Sequence, residues 1–242
     1  MKMFYKLATK IRSVILSFPP RIDITDNYIK RLLLVNPGMM HEGNLYCFRY
    51  AIQHLKSTKP IMEIGGFCGL STNVMSYYLH QAKRGNKIFS CDSWNYGFKK
   101  SKSFGTFSAS ESEFDKFVEE CYIRNVSLFS KPHFPHAFKL LSDDFFDLWS
   151  KKRTAKDVFG KNVRLGGKIS FCYIDAEHTY RQTKKHFENA DKLLEKGGFI
   201  FFDDSAIYSG FGSANLMAEI LKNKKYKLII NNPNYLFQKI KQ

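Results

Sequence analysis

Apolar residues recur every three to four positions from residue 2 to residue 18. Phe4, Leu7, Ile11, Val14, Ile15 and Phe18 share one face, and lysines mark the other, so the spacing predicts an amphipathic helix that Pro19-Pro20 stops. The same period predicts helices over 26–35 and 40–57. From Lys59 the pattern changes to short apolar runs separated by helical stretches. Strands are expected at 61–65, 87–92, 136–141, 169–175 and 198–203, with helices at about 69–83, 110–124, 142–150 and 178–195. Apolar strands alternating with helices imply a parallel sheet covered on both faces. The end of the chain breaks the alternation. After a helix near 213–223, YKLIINN and NYLFQKI are joined only by Asn232-Pro233-Asn234, so they must pair antiparallel. Residues 93–109 and 153–167 read as long loops.

The segment KPIMEIGGFCGLST, residues 59–72, carries the most chemistry per residue. A strand ending at Ile64 runs into Gly65, Gly66 and Gly69, and a helix follows at once. Glycine lets backbone approach a ligand, and a helix start offers unpaired N–H groups, so this turn has the makings of a nucleotide-sized pocket. The phosphate-loop pattern GxxxxGK[ST] is absent. The dinucleotide pattern GxGxxG fails because Phe67 and Leu70 stand at glycine positions.

Composition narrows the picture. A chain of 242 residues has room for one α/β domain with a full core, or for one domain plus a small appendage. Its five cysteines, at 47, 68, 91, 121 and 172, form no CxxC pair and read as free thiols of a reducing, cytoplasmic compartment. No apolar run is long enough to span a bilayer. The helix at 2–18 is expected to pack on the domain or on a second subunit, with weak membrane-surface association as the alternative. The net charge of +16 favours anionic partners. Its lysines fall at 99–102, 151–168 and 222–227, in loops and at helix ends, with no nucleic-acid motif beside them. They read mostly as solvated surface rather than as a nucleic-acid groove.

Ligands of such sheets bind at the carboxyl ends of the strands. Those ends carry Glu63, Asp92, Asp143, Asp175 and Asp203-Asp204, an acid on every one. One acid there is ordinarily a helix cap. A carboxylate ending the second strand, as Asp92 does, suits a ribose diol because it accepts from both hydroxyls. Trp94 beside it would stack on a purine or fill the core. His133-x-x-His136 is flanked by Pro132 and Pro135 and reads as a surface loop rather than a metal site.

These features together resemble the class I S-adenosylmethionine-dependent methyltransferases, over roughly residues 38–242. EIGGFCGLST matches the first-strand loop of the small-molecule O-methyltransferases. IDAEHTYRQTKKHFENADKLLEKGGFIFFDD is similar to their fourth-to-fifth-strand block, nearest to the macrolide-sugar and cephalosporin-type enzymes. The resemblance implies a Rossmann-like α/β domain over 38–242 after a helical extension at 1–37. Its sheet would be mostly parallel and seven-stranded, ordered 3-2-1-4-5-7-6 with strand 7 antiparallel. It implies that Glu63, Gly65, Gly66, Gly69, Ser71, Asp92, Ser93, Trp94, Ser142, Asp143 and Asp175 form the S-adenosylmethionine site. It implies that Asp175, Asp203 and Asp204 hold Mg²⁺, with His178 as general base and Asp175 beside it in catalysis. An imidazole suits that role, and a hard cation prefers carboxylate oxygens. The implied reaction is methylation of a hydroxyl on a small molecule, a sugar or secondary metabolite. RNA or protein methylation through the basic surface, and a non-catalytic adenosyl-binding scaffold, stand as alternatives.

Overall fold

A computed structural model describes residues 26–96 and 110–242. The helix expected at 2–18 and most of the loop 93–109 lie outside the described residues.

Strands whose side chains are apolar on both faces must be covered on both faces, and this decides the architecture. Strand β1 (Ile61–Ile64) is buried throughout, as is β6 (Ile169–Ile174). Successive residues point to opposite layers. Met62 and Ile64 join a core that holds Phe138, Trp149 and Phe202. Ile61 joins the other, with Phe48, Phe171 and Phe201. The seven-stranded sheet runs β3-β2-β1-β6-β7-β9-β8, with β2 at Ile88–Asp92, β3 at His136–Lys139, β7 at Leu194–Phe202, β8 at Tyr226–Asn231 and β9 at Tyr235–Lys239. β1, β2, β3, β6 and β7 are parallel, and β9 is antiparallel to both β7 and β8. With β6 to β9 counted as the fourth to seventh strands of this sheet, the order is the expected 3-2-1-4-5-7-6.

The helices hold their expected places with shifted ends. α1 (Asn27–Val35) starts where Asp26 accepts from Tyr28 N and Ile29 N. α2 (Gly43–Gln53) begins three residues later than the periodicity suggests, because His41 Nδ1 accepts from Gly43 N at 2.9 Å and sets the helix start there. α3 (Leu70–Gln81) follows the glycine turn directly. α4 (Glu111–Phe129) opens with a capping box between Ser110 and Glu113 and runs five residues past its expected end. α5 (Ser142–Ser150), α6 (Tyr180–Leu193) and α7 (Gly212–Ile220) complete the layers.

The stretch 153–167 is not a plain loop. It folds into an antiparallel hairpin, β4 (Thr154–Lys156) and β5 (Asn162–Arg164), whose Ala155 and Val163 pack on the core. With one apolar residue per strand, the alternation is too short to read from sequence. Val158 N donates to Ala137 O at 2.8 Å, so the segment also covers part of the free edge of β3.

Candidate functional site

A cavity of about 1000 Å³ opens at the carboxyl ends of β1, β2, β3 and β6. Its floor is the glycine turn. Gly65 sits at φ +98°, and a Cβ there would lie 2.2 Å from the carbonyl oxygen of Asp175. Only glycine lets the strand ends of β1 and β6 close up in this way. Gly65, Gly66, Phe67 and Ser71 line the cavity, whereas Gly69 faces Val126 and Tyr122 and lets α3 approach α4.

Glu63 lies beneath this floor, fully buried, and accepts from Ser71 Oγ at 2.6 Å, Ser90 Oγ at 2.6 Å and Thr72 Oγ1. Burial pushes its carboxyl up, and the three hydroxyls pull it back. Glu63 therefore braces the turn and the start of α3 rather than facing the cavity.

Asp92 faces the cavity and organises the turn. Its carboxylate accepts from Gly66 N and Phe67 N, both at 2.9 Å, from Trp94 N at 2.8 Å and from Tyr96 OH at 3.2 Å. The Tyr96 contact is the longest and the only one from a side chain. It occupies a position that a ligand hydroxyl could take. Ser93, Asn95 and Tyr96 line the wall beside it. Trp94 does not. It is 1% exposed, donates from Nε1 to Phe67 O at 3.0 Å and packs on Tyr122. The expected pocket contact from Trp94 is thus corrected: at φ +45° the backbone turns this ring into the core.

At the end of β3, Ser142 and Asp143 line the cavity as expected. Ser142 Oγ lies 2.7 Å from Nε2 of buried His186, and Asp143 pairs with Lys185 at 2.5 Å. Burial lowers the His186 pKa to about 4, which keeps its imidazole neutral. His186 and Gln182, both on α6, are lining residues that the strand-end reading missed. Their i, i+4 spacing on one helix face was the available signal.

The opposite wall holds Asp175, Glu177, His178, Asp204 and Phe211. His178 Nε2 is 3.2 Å from Asp204 Oδ2, and the Phe211 ring packs on the imidazole at 5.1 Å between centroids. Asp175 accepts from Tyr173 OH at 3.0 Å. Burial, then the charge of Asp203, hold the Asp175 carboxyl well above the usual carboxylate range. Burial also raises Asp204, while His178 works the other way.

The three-carboxylate metal set is not assembled. Asp203 is 5% exposed and does not line the cavity. It accepts from Asn44 Nδ2 at 2.8 Å, Tyr173 OH at 2.8 Å, the Asp204 amide at 3.0 Å and Asn234 Nδ2. Three of these donors converge on Oδ1 and Tyr173 OH reaches Oδ2, so the side chain is turned toward internal donors. Among the described residues no group of three His, Cys, Asp or Glu side chains is placed to hold a metal ion. The residues present do not fit the expected Mg²⁺ site. His133 ends a 3₁₀ turn, and His136 starts β3 with Nδ1 2.9 Å from buried Asp157, so that pair is structural.

Comparison with known proteins places this geometry. A family model described as a methyltransferase domain matches residues 62–205, more than half of the chain. No curated protein matches. Among solved structures, an O-methyltransferase from Bacillus cereus, in complex with SAH, superposes with a TM-score of 0.58 at 15% identity, covering 98% of this chain and 100% of that one. The O-methyltransferase TomG from Streptomyces achromogenes, involved in tomaymycin synthesis and in complex with SAM, gives 0.57 at 10% identity, covering 97% and 96%. CalS11, a TDP-rhamnose 3'-O-methyltransferase of calicheamicin biosynthesis, gives 0.52 at 15% identity, covering 96% and 93%.

Proposed function

Because the chain belongs to the methyltransferase-domain family, we propose that it transfers a methyl group from S-adenosylmethionine to a hydroxyl of a small molecule. The observation that carries this reading is one cavity holding Asp92 and the glycine turn on one wall and the His178–Asp204 pair on the other. The O-methyltransferase names of the structural neighbours point the same way.

S-adenosylmethionine supplies an electrophilic methyl group when bound. Asp92 offers its carboxylate to the ribose hydroxyls in exchange for Tyr96 OH, and Ser142 and Asp143 lie on the next strand end for the base. Gly65 and Gly66 let the floor form, since a Cβ at the first would meet the Asp175 backbone and one at the second Ser90 and Tyr122. On the opposite wall, Nε2 of His178 faces Asp204, which holds the ring and leaves Nδ1 to take the proton of the acceptor hydroxyl. Asp204 then stabilises the imidazolium that forms. No step runs through a metal ion, because among the described residues no three ligands stand together to hold one.

A small acceptor accounts for the site better than RNA does. Among the described residues no Lys or Arg lines the cavity. Calorimetry with S-adenosylhomocysteine tests the cofactor, and Asp92→Ala should weaken binding by about 1.5–3 kcal/mol through loss of a charged acceptor. Transfer of labelled methyl to a hydroxyl compound tests the reaction, and His178→Ala should slow it ~100- to 10,000-fold. A protein that binds a nicotinamide dinucleotide and no S-adenosylhomocysteine would refute the proposal.

A further inference from the structure

His178 and Asp204 come from two separate segments, one between β6 and α6 and one just after β7. A third segment, the start of α7, touches both. Ser213 lies in the first turn of that helix and is 1% exposed. Its backbone N donates to His178 O at 3.0 Å, and its Oγ donates to Asp204 O at 2.6 Å. One buried residue thus bonds to the backbone of both members of the pair. The approach is close. A Cβ on Gly212 would lie 2.2 Å from Tyr180 N and 3.0 Å from His178 O, so α7 begins with backbone against backbone. Phe211, the residue before, packs its ring on the imidazole at 5.1 Å between centroids. Asp204 stands at φ +48°, a left-handed conformation that a residue with a Cβ keeps where its surroundings hold it. Its amide donates to Asp203 Oδ1 at 3.0 Å, and its carbonyl accepts from Ser213 Oγ and, at 3.0 Å, from Ser209 Oγ.

We propose that Ser213 is a positioning residue that sets His178 against Asp204 and thereby decides which ring nitrogen carries the proton. This rests on the methyl-transfer reading above and adds a residue to that site. A helix start leaves N–H groups unpaired, and His178 O takes one of them, which fixes the backbone of His178. The hydroxyl fixes the backbone of Asp204, and through it the carboxylate. With Oδ2 held 3.2 Å from Nε2, the proton sits on Nε2 and the free lone pair on Nδ1. Without the hydroxyl, the Asp204 carbonyl keeps only the bond from Ser209, a residue of its own turn. The carboxylate then drifts from Nε2, and both neutral tautomers become populated.

The test uses the full chain with ¹⁵N-labelled histidine and no ligand. Imidazole ¹⁵N spectra at pH 8 show which ring nitrogen carries the proton, and His178→Gln assigns the signal. Wild type should show the Nε2–H form. Ser213→Ala should lower the ratio of Nε2–H to Nδ1–H about tenfold, the low end of what one hydrogen bond to a charged group contributes. Asp204→Ala should shift the ratio at least as far. Adding Ser213→Ala to Asp204→Ala should change nothing more, because the serine hydroxyl acts through Asp204. A wild-type ratio in Ser213→Ala, or effects of the two substitutions that add, would overturn the inference. If Ser213→Ala does not fold, Ser213→Cys, of similar volume and with only a weak donor, takes its place under the same two criteria. Calorimetry with S-adenosylhomocysteine separates the two readings. No binding to wild type refutes methyl transfer, whereas binding with an unmoved tautomer ratio refutes only the role of Ser213.

Discussion

Asp203 and Asp204 are neighbours in sequence with opposite duties, and replacing each by alanine should separate them. Asp203 receives hydrogen bonds from two side-chain amides, a phenol and a backbone amide. Asn44 reaches it from α2, Asn234 from the β8–β9 turn and Tyr173 from β6, so one carboxylate ties three separated segments together. Asp203→Ala leaves these donors buried around a void. Each stranded donor costs about 1–3 kcal/mol, less where it finds another partner. Asn234 retains Asn44 Oδ1 at 3.0 Å, and Tyr173 retains Asp175 at 3.0 Å. Two losses then remain at full cost, which gives about 2–6 kcal/mol, with 4 kcal/mol the central figure. At about 2–4 °C per kcal/mol for a domain of this size, the melting point should fall by about 8–16 °C. Asp204, 38% exposed at its side chain and bonded mainly to His178, should cost less than about 1 kcal/mol on the same substitution. Urea unfolding of both variants, followed by far-ultraviolet circular dichroism, measures the contrast. Methyl transfer should show the reverse order, with Asp204→Ala folded and impaired. If Asp203→Ala unfolds within 1 kcal/mol of wild type, its network is not structural, and the argument against its binding a cation falls with it.

Two further outcomes follow from the same wall. Titration of the protein with Mg²⁺ should give no saturable heat, and chelator should leave S-adenosylhomocysteine affinity unchanged; a stoichiometric site abolished by Asp203→Asn would restore the three-carboxylate arrangement. Asp175 gives a pH signature. Its folded pKa is raised, first by burial and then by Asp203, so its stabilising contribution is fully present below the unfolded value and is lost as pH rises through the folded one. Asp175→Asn keeps the neutral shape at every pH. Its melting point should exceed that of wild type by a margin that grows from pH 4 to pH 8, and a margin constant over that range would contradict the shift.

The parts legible in the sequence are those set by local rules. The β1 turn was readable because Gly65 and Gly69 stand where the chain takes positive φ. The sheet was readable because its strands are apolar on both faces and its closing hairpin has too short a connection for any other pairing. The placement of an acid at each strand end was likewise available. What each acid does there depends on partners far away in the chain. Asn44 and Asp203 are 159 residues apart, and no periodicity links them. Trp94 shows the same limit at short range, since one residue at positive φ moves its ring from the pocket wall to the core.

The wall opposite Asp92 shows why pattern alone assigns too much to an acidic rim. Asp203 and Asp204 leave β7 in a turn with Asp204 at φ +48°, and only Asp204 lines the cavity. Asp203 needs donors, and Asn44, Asn234 and Tyr173 provide them. Asp204 is then held by the strand end at a fixed distance from His178, which begins the next segment of the rim. A structural acid thus fixes the position of a chemical one. The metal expectation counted both as ligands, whereas the donors around Asp203 show that it is occupied in building the wall on which Asp204 and His178 stand.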